Sequence, residues 1–405
     1  MMKGYLISKN KSECTGCEAC VQVCPKAAIH MEEDIEKFRY PHIDQSLCVG
    51  CKLCERVCPE GNQTTFNTEK KYVFGGYSLD KKVRFESTSG GAFSSIVDAF
   101  CDDNYVIFGA KAKGLIVFHS YITDKEGLQV FRKSKYSQSL IGLSYRQTKK
   151  FLNEGKKVLF SGTPCQIAGL NNYLALSKVD TTNLLTVEVV CEGVPSPLYI
   201  EKYNDFLKNK YGHEIDSIDY RYKGKSIFSH GKWDFQARRT KLKNNKVIEV
   251  DRWFNPFWSV WLKHLMSRPS CYKCTYAKKE RTADVTLGDL WGVHIYCPEL
   301  YGENGGASLV IANNKKGEEV VKQAQKSMYG HELIFDEALK YQGPIRGHIS
   351  MNPKRNECMK DLESEMTYEE VNKKWASKPT LKLLFQKYIW GNRQKVFVWN
   401  ITHRK

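Results

Sequence analysis

The sequence predicts two parts of different class: an α+β head over residues 1–68 and, from residue 72, a mixed α/β body. Three observations predict this. Eight of the fifteen cysteines fall between Cys14 and Cys58, in two runs of identical spacing. Beyond them, short apolar, β-branched runs alternate with amphipathic or capped segments, the pattern of strands alternating with helices. Finally, 405 residues of which 41% are hydrophobic suffice for two or three packed domains. That composition excludes a collagen-like, low-complexity or wholly disordered chain.

The head is defined by its cysteines. The first run reads Cys14-x2-Cys17-x2-Cys20-x3-Cys24-Pro25 and the second Cys48-x2-Cys51-x2-Cys54-x3-Cys58-Pro59. This is the spacing of a ferredoxin-like head with two [4Fe–4S] clusters, in which the fourth cysteine of each run reaches the other cluster. Cys14, Cys17, Cys20 and Cys58 are therefore expected to hold one cluster, and Cys48, Cys51, Cys54 and Cys24 the other. Pro25 and Pro59 end each ligand loop, and Gly16 and Gly50 stand where the loop wraps inorganic sulfide. The matching halves imply a duplicated unit. Zinc also accepts four thiolates, but its sites usually use two Cys-x-x-Cys pairs and not triplets followed by Cys-Pro. Clusters move single electrons, so the body must supply a partner surface or an active site. No apolar signal core precedes Cys14, and no run of about 18 apolar residues occurs to form a membrane span. Clustered thiols without those signals point to a cytoplasmic protein.

The body follows a polar link at 64–71. Residues 105–108 and 115–121 read as strands and 144–154 as a polar-faced helix. A short buried strand at 158–160 leads into Ser161-Gly162-Thr163-Pro164-Cys165. Thr163 is a good N-cap and Pro164 a good first helical residue, so a helix should run to about residue 174. Its free backbone N–H groups make a natural anion site. Residues 184–190 read as a strand ending at Cys191, 233–250 as a hairpin around Asn244-Asn245, and 256–266 as a Trp-rich amphipathic helix. A strand at 307–312 and a helix at 317–327 complete the alternation.

Six blocks in the body are similar to one known family: FESTSGGAFSS, SKYSQS, VLFSGTPCQIAGL, VVCEGVPSP, SCYKCTYAKKERTADVTLGDLWG and GGASLVIANNKKG. They resemble the beta-subunit family of coenzyme F420 hydrogenases and dehydrogenases, in order, over most of residues 72–320. The resemblance implies a flavin-binding body that holds FAD and passes electrons between clusters and a two-electron partner. In archaeal members that partner is the deazaflavin F420, and a plant relative reduces a chlorophyll derivative. On this reading residues 72–150 and 151–330 are the two parts of the flavoprotein body, and 331–405 is a basic helical extension. Two departures stand out. Lys133 occupies a place where the family often has Gly, and Cys191-Glu192-Gly193 replaces a common Cys-His-Gly.

Seven cysteines remain outside the head. Cys165 and Cys191 each follow the end of an expected strand, where α/β sheets open their ligand crevice, and Cys271-x2-Cys274 is a chelating pair. Cys165, Cys191, Cys271 and Cys274 are expected to hold a third [4Fe–4S] cluster, and the resemblance supports this because all four fall in its blocks. A structural zinc and a redox-active Cys271–Cys274 pair are the alternatives. Cys101, Cys297 and Cys358 read as plain buried thiols.

Flavin contacts are expected from Ser89, Gly90 and Gly91, where small residues allow close approach, and from Lys135 and Tyr136, as a phosphate cation and a stacking ring. Thr163 and Pro164, at a helix start, and Asp289, in a Gly-flanked turn, complete the set. His119, Glu192, His230 and His294 are the visible acid–base candidates, none with a pattern that selects it. The leading reading is an iron–sulfur flavoprotein oxidoreductase acting on an organic substrate or a deazaflavin-type carrier. The alternatives are an electron-transfer subunit without its own substrate and a metal-stabilised interaction protein.

The formal charge is +17, carried by the body. Residues 1–70 hold nine basic and ten acidic groups, and the rest hold 53 and 35. Such a body suits anionic cofactors, an acidic redox partner protein or a small anionic electron carrier. No nucleic-acid-binding motif accompanies the charge. Residues 378–405 contain seven Lys or Arg and no acid, and Leu381, Leu384, Phe385, Tyr388 and Ile389 fall on one helical face. This reads as a terminal helix packed on the body, with peripheral contact to an anionic membrane as the other use.

Overall fold

The computed structural model describes residues 4–62, 64–223, 237–300, 305–390, 394, 397, 398 and 401. In the head, β1 (Ile29–Glu33) and β2 (Arg39–Ile43) form an antiparallel pair. Two short helices, Ala19–Val23 and Leu53–Val57, carry the third cysteine of each run. The duplication is visible in the backbone. Gly16 and Gly50 have φ of 69° and 66°, and Glu18 and Lys52 have 60° and 57°. A left-handed turn before each helix curls each run around its own ligand loop.

The body is built on β3 (Tyr72–Ser78), β4 (Tyr105–Lys113), β5 (Ile116–Ile122), β6 (Lys157–Gly162) and β7 (Leu184–Val189). A separate antiparallel sheet of β8 (Ile215–Tyr222), β9 (Ala237–Leu242) and β10 (Val247–Asp251) follows. Then β11 (Val285–Asp289), β12 (Ser308–Ala312) and β13 (Met328–Glu332) return to the main sheet. Its order is β13-β3-β12-β11-β7-β6-β4-β5. The four strands β4, β6, β7 and β11 are parallel, and antiparallel strands extend both edges.

Strand alternation sends successive side chains to two cores. Val106, Phe108, Val158 and Phe160 meet the helix Pro164–Leu176 on one face. Ile107, Leu159 and Val187 meet the helices Ala92–Phe100 and Lys315–Ala324 on the other. A third core joins the smaller sheet to the helices Pro197–Tyr211, Pro256–Trp261, Arg355–Glu363 and Tyr368–Trp375.

Several expected boundaries shift. The head has no core of its own: Cys17, Ala19 and Val57 pack in the same cluster as Phe108 and Leu170. Gln22 Oε1 accepts from the backbone N–H of Tyr145 and Arg146, so a head residue caps the first turn of the helix Ser144–Asn153. That helix runs across the expected division at 150. The expected extension from 331 begins inside β13, which pairs with β3, and Cys358, Met359, Leu362 and Val371 of its two helices are buried. The Trp-rich helix stops at Trp261, before His264 turns at φ 56°. It is not amphipathic, since Phe257, Trp258, Val260 and Trp261 are all buried. The hairpin around Asn244-Asn245 forms as β9–β10, while its expected start at 233–236 lies outside the described residues.

Candidate functional site

The first ligand set comes together. Cys14, Cys17, Cys20 and Cys58 line one small cavity, with Pro59 at its wall. Burial pushes the Cys58 thiol up to about 11, and the neighbouring Cys14 adds to the shift. The second set is open: Cys48 and Cys51 are exposed, while Cys24 and Cys54 are half-buried. Cys54 lies on the helix Leu53–Val57 and Cys24 ends its partner helix Ala19–Val23.

The remaining thiols expected as ligands also converge. Cys165, Cys191, Cys271 and Cys274 all line a second cavity of about 440 Å³. It opens at the C-terminal ends of the parallel strands β6, β7 and β11, the crevice end of an α/β sheet. Thr163 caps the helix behind β6 through a box with Gln166, which sets Cys165 at its first turn. Thr163 Oγ1 lies 3.2 Å from Cys165 Sγ. Cys191 follows β7, and Cys271 and Cys274 flank the end of a tight 3-10 turn at Pro269–Lys273. Burial pushes Cys191 up to about 12 and Cys271 and Cys274 each up to about 11. Their mutual charges add to it, Cys271 on Cys191, Cys274 on Cys271 and Cys191 on Cys274. Four thiols of this kind, shielded from water, suit a site that supplies positive charge to thiolates. Among the described residues no three metal-binding side chains are gathered tightly enough for a single ion. A cubane spreads its thiolates over four irons.

The two sets are neighbours. A Cβ on Gly169, in the helix that carries Cys165, would lie 3.1 Å from Cys17 Sγ. Arg268 stands between them, fully buried. It donates from Nε to Cys14 O at 2.8 Å, from Nη1 to Gln138 Oε1 and from Nη2 to Arg39 O, and Nη2 lies 3.5 Å from Cys14 Sγ. Gln138 in turn donates to Thr15 O at 2.7 Å.

Residues 13–62 match the model of a 4Fe-4S dicluster domain. Residues 155–333 match the model of the C terminus of the coenzyme F420 hydrogenase/dehydrogenase beta chain. The chain is an iron–sulfur protein of the F420 hydrogenase/dehydrogenase beta-subunit family. The matched segment holds Cys165, Cys191, Cys271 and Cys274, whereas the Ser89-Gly90-Gly91 and Lys135-Tyr136 blocks lie before it. A solved chain from the xenon-derivatised F420-reducing [NiFe] hydrogenase complex of Methanosarcina barkeri is 16% identical, with 75% of this chain and 91% of that chain covered and a TM-score of 0.43. No curated protein matches the sequence.

Most of the flavin contacts expected in this beta-subunit body line the 440 Å³ cavity: Ser89, Gly91, Lys135, Tyr136, Thr163, Pro164 and Asp289. Gly90 does not. It is buried against the main sheet, where a Cβ would meet Gly76 O at 2.5 Å and Ser308 N at 2.7 Å, so its bareness serves strand packing. Gly16 likewise faces the body: a Cβ there would meet Gln138 at 2.6 Å. Lys135 donates to Arg132 O at 2.7 Å and Phe131 O at 3.1 Å, and burial lowers its ammonium to about 8. Its charge pins the loop instead of reaching out. Lys133, where the family often has Gly, takes φ 70°, a conformation glycine adopts freely, and pairs with Asp219. The Tyr136 ring sits edge-on to Trp258 and Trp261 at 4.8 and 5.0 Å. Asp289 is held by a two-pronged pair with Arg221.

Of the acid–base candidates, His119 is settled by geometry. Nε2 faces Ser161 O at 2.9 Å and so donates, which leaves Nδ1 to accept from Ser139 Oγ at 2.7 Å. Burial lowers its imidazole to about 4. It is a neutral core residue stacked on Phe160, not a base. Because the folded value lies below the ordinary one near 6.5, His119 contributes stability above that pH and loses it as pH falls toward 4. The urea midpoint should drop between pH 7 and 5, and His119→Gln should flatten that slope; an unchanged slope would refute the assignment. Burial holds the Glu192 carboxyl above the usual range, opposed by Arg252. His230 lies outside the described residues, as does the side chain of His294.

Sequence reasoning missed Arg132, Arg221, Arg252, Arg268 and Arg281, all on the cavity wall. Arg281 forms a buried pair with Glu188, whose carboxylate also accepts from Thr282 and Thr286. The available signal was position: Arg268 is three residues before Cys271, and Gln138 is within SKYSQS.

Proposed function

We propose that this chain is an oxidoreductase that passes electrons between [4Fe–4S] clusters and a two-electron organic substrate or deazaflavin-type carrier, with FAD in the 440 Å³ cavity. The observation that carries the reading is that one cavity is lined both by the four body thiols and by Tyr136, the helix start at Thr163-Pro164 and the arginine-rich wall. Bound flavin would supply the exchange between one-electron and two-electron chemistry. The protein's own part is to bind and orient. Helix starts at Gly91 and Thr163 face the cavity and suit phosphate, as do Arg132 and Arg252. Tyr136, Trp258 and Trp261 give an apolar wall for a planar ring. Cys165, Cys191, Cys271 and Cys274 would hold a third cluster beside the first. The exposed Cys48 and Cys51 make the second cluster the entry or exit point, open to an acidic redox partner or a small anionic carrier.

Titrating anaerobically reconstituted protein with FAD is expected to quench flavin fluorescence to an end point of about one per chain. No quenching, with the clusters intact by absorbance, would overturn the flavin reading.

A further inference from the structure

The helix Leu381–Tyr388 follows the last buried helix and is capped by Thr380, whose side chain accepts from Leu383 N. A packed terminal helix would turn its apolar face inward. Here the face is turned outward: Leu381 is 85% exposed, Phe385 51%, Ile389 61% and Trp390 50%. The first three are spaced four apart, so they form one stripe along the helix. None of them belongs to a hydrophobic core among the described residues. Farther on, Phe397 and Ile401 are exposed as well. The same stretch, 378–405, carries seven Lys or Arg and no acid.

We infer that this C-terminal segment is a docking element for an anionic lipid surface. Three features select that occupant. The apolar stripe includes an aromatic and is followed by Trp390, the side-chain types that settle at the headgroup boundary. Lys382 lies on the stripe's flank, placed to meet lipid phosphates while the stripe enters the acyl boundary. The one-signed charge continues through the whole segment, which suits an extended anionic plane. No described helix is long and apolar enough to cross a membrane, so the contact would be peripheral. The segment would hold the redox body at the surface, and the inference stands independently of which cofactor the cavity takes.

The test is flotation of the full-length, cluster-loaded chain with vesicles. One set is phosphatidylcholine alone, and the other contains about one-third phosphatidylserine. The chain should float with the anionic vesicles and stay behind with the neutral ones, and high salt should release it. Each lysine removed, as in Lys382→Gln and Lys387→Gln, should weaken partitioning about fivefold. Leu381→Glu with Phe385→Glu should abolish it while leaving the cluster absorbance unchanged. Flotation with neither vesicle, equal flotation with both, or unimpaired flotation of the Leu381/Phe385 variant would each overturn the inference. Concentration-dependent self-association without flotation would assign the stripe to a second copy of the chain. Salt-sensitive binding to an acidic protein without flotation would assign it to a protein partner. Either result also overturns the inference.

Discussion

Replacing Cys165 and Cys191 together with serine is expected to lower the iron content of the reconstituted chain from about 12 to about 8 per molecule. The two residues come from the ends of β6 and β7, adjacent parallel strands, and share the cavity with Cys271 and Cys274. Removing half of a four-thiolate set leaves too few ligands for a cubane, so the loss should be complete and not graded. The head should be spared. Its eight cysteines lie on separate loops, and its absorbance and reversible reduction by dithionite should persist. Elemental analysis of wild type and variant side by side decides the matter. A wild-type chain with about 8 irons and one zinc would assign the body thiols to zinc. About 8 irons with no zinc and a reducible Cys271–Cys274 disulfide would assign that pair to thiol chemistry.

Arg268→Gln is expected to destabilise the chain by about 3–5 kcal/mol and to lower the potential of the Cys14/Cys17/Cys20/Cys58 cluster by tens of millivolts, roughly 50–100. The stability loss follows from its bonds. The guanidinium holds Cys14 O, Arg39 O and Gln138, so it ties both head strands and ligand loop to the body. It also lies over the Tyr40 ring, 4.4 Å from the centroid. A shorter neutral side chain leaves those buried acceptors without donors. The potential shift follows from charge. One buried cation 3.5 Å from Cys14 Sγ favours the more negative, reduced form of whatever that thiolate ligates. Arg268→Lys keeps the charge and loses the fork, so it should recover most of the potential and little of the stability. Urea unfolding gives the first quantity and an EPR-monitored redox titration the second. An unchanged potential in a folded Arg268→Gln chain would rule out the electrostatic role.

The legible part of this protein was local. Each head run places its ligands within eleven residues, so spacing alone defines the loop, and Pro25 and Pro59 end it. Thr163, Pro164 and Gln166 announce a helix start because the cap, the fixed φ and the box all act within one turn. The strands β6, β7 and β12 read from apolar runs because both of their faces are covered. Cys358, Met359 and Leu362 were less legible: they lie among charged residues, and only the third core shows which face they serve.

The sequence by itself determined the two-cluster head, the alternating α/β body and the six family blocks, since all three are written in short-range spacing. Tertiary structure decided that the head shares a core with the body and that Cys165, Cys191, Cys271 and Cys274 meet in one cavity. It also set Arg268 between the two ligand sets and turned Leu381 and Phe385 outward. These facts depend on which strands lie side by side. β11 joins β7 across almost a hundred residues, and the periodicity of a strand carries no information about its neighbour.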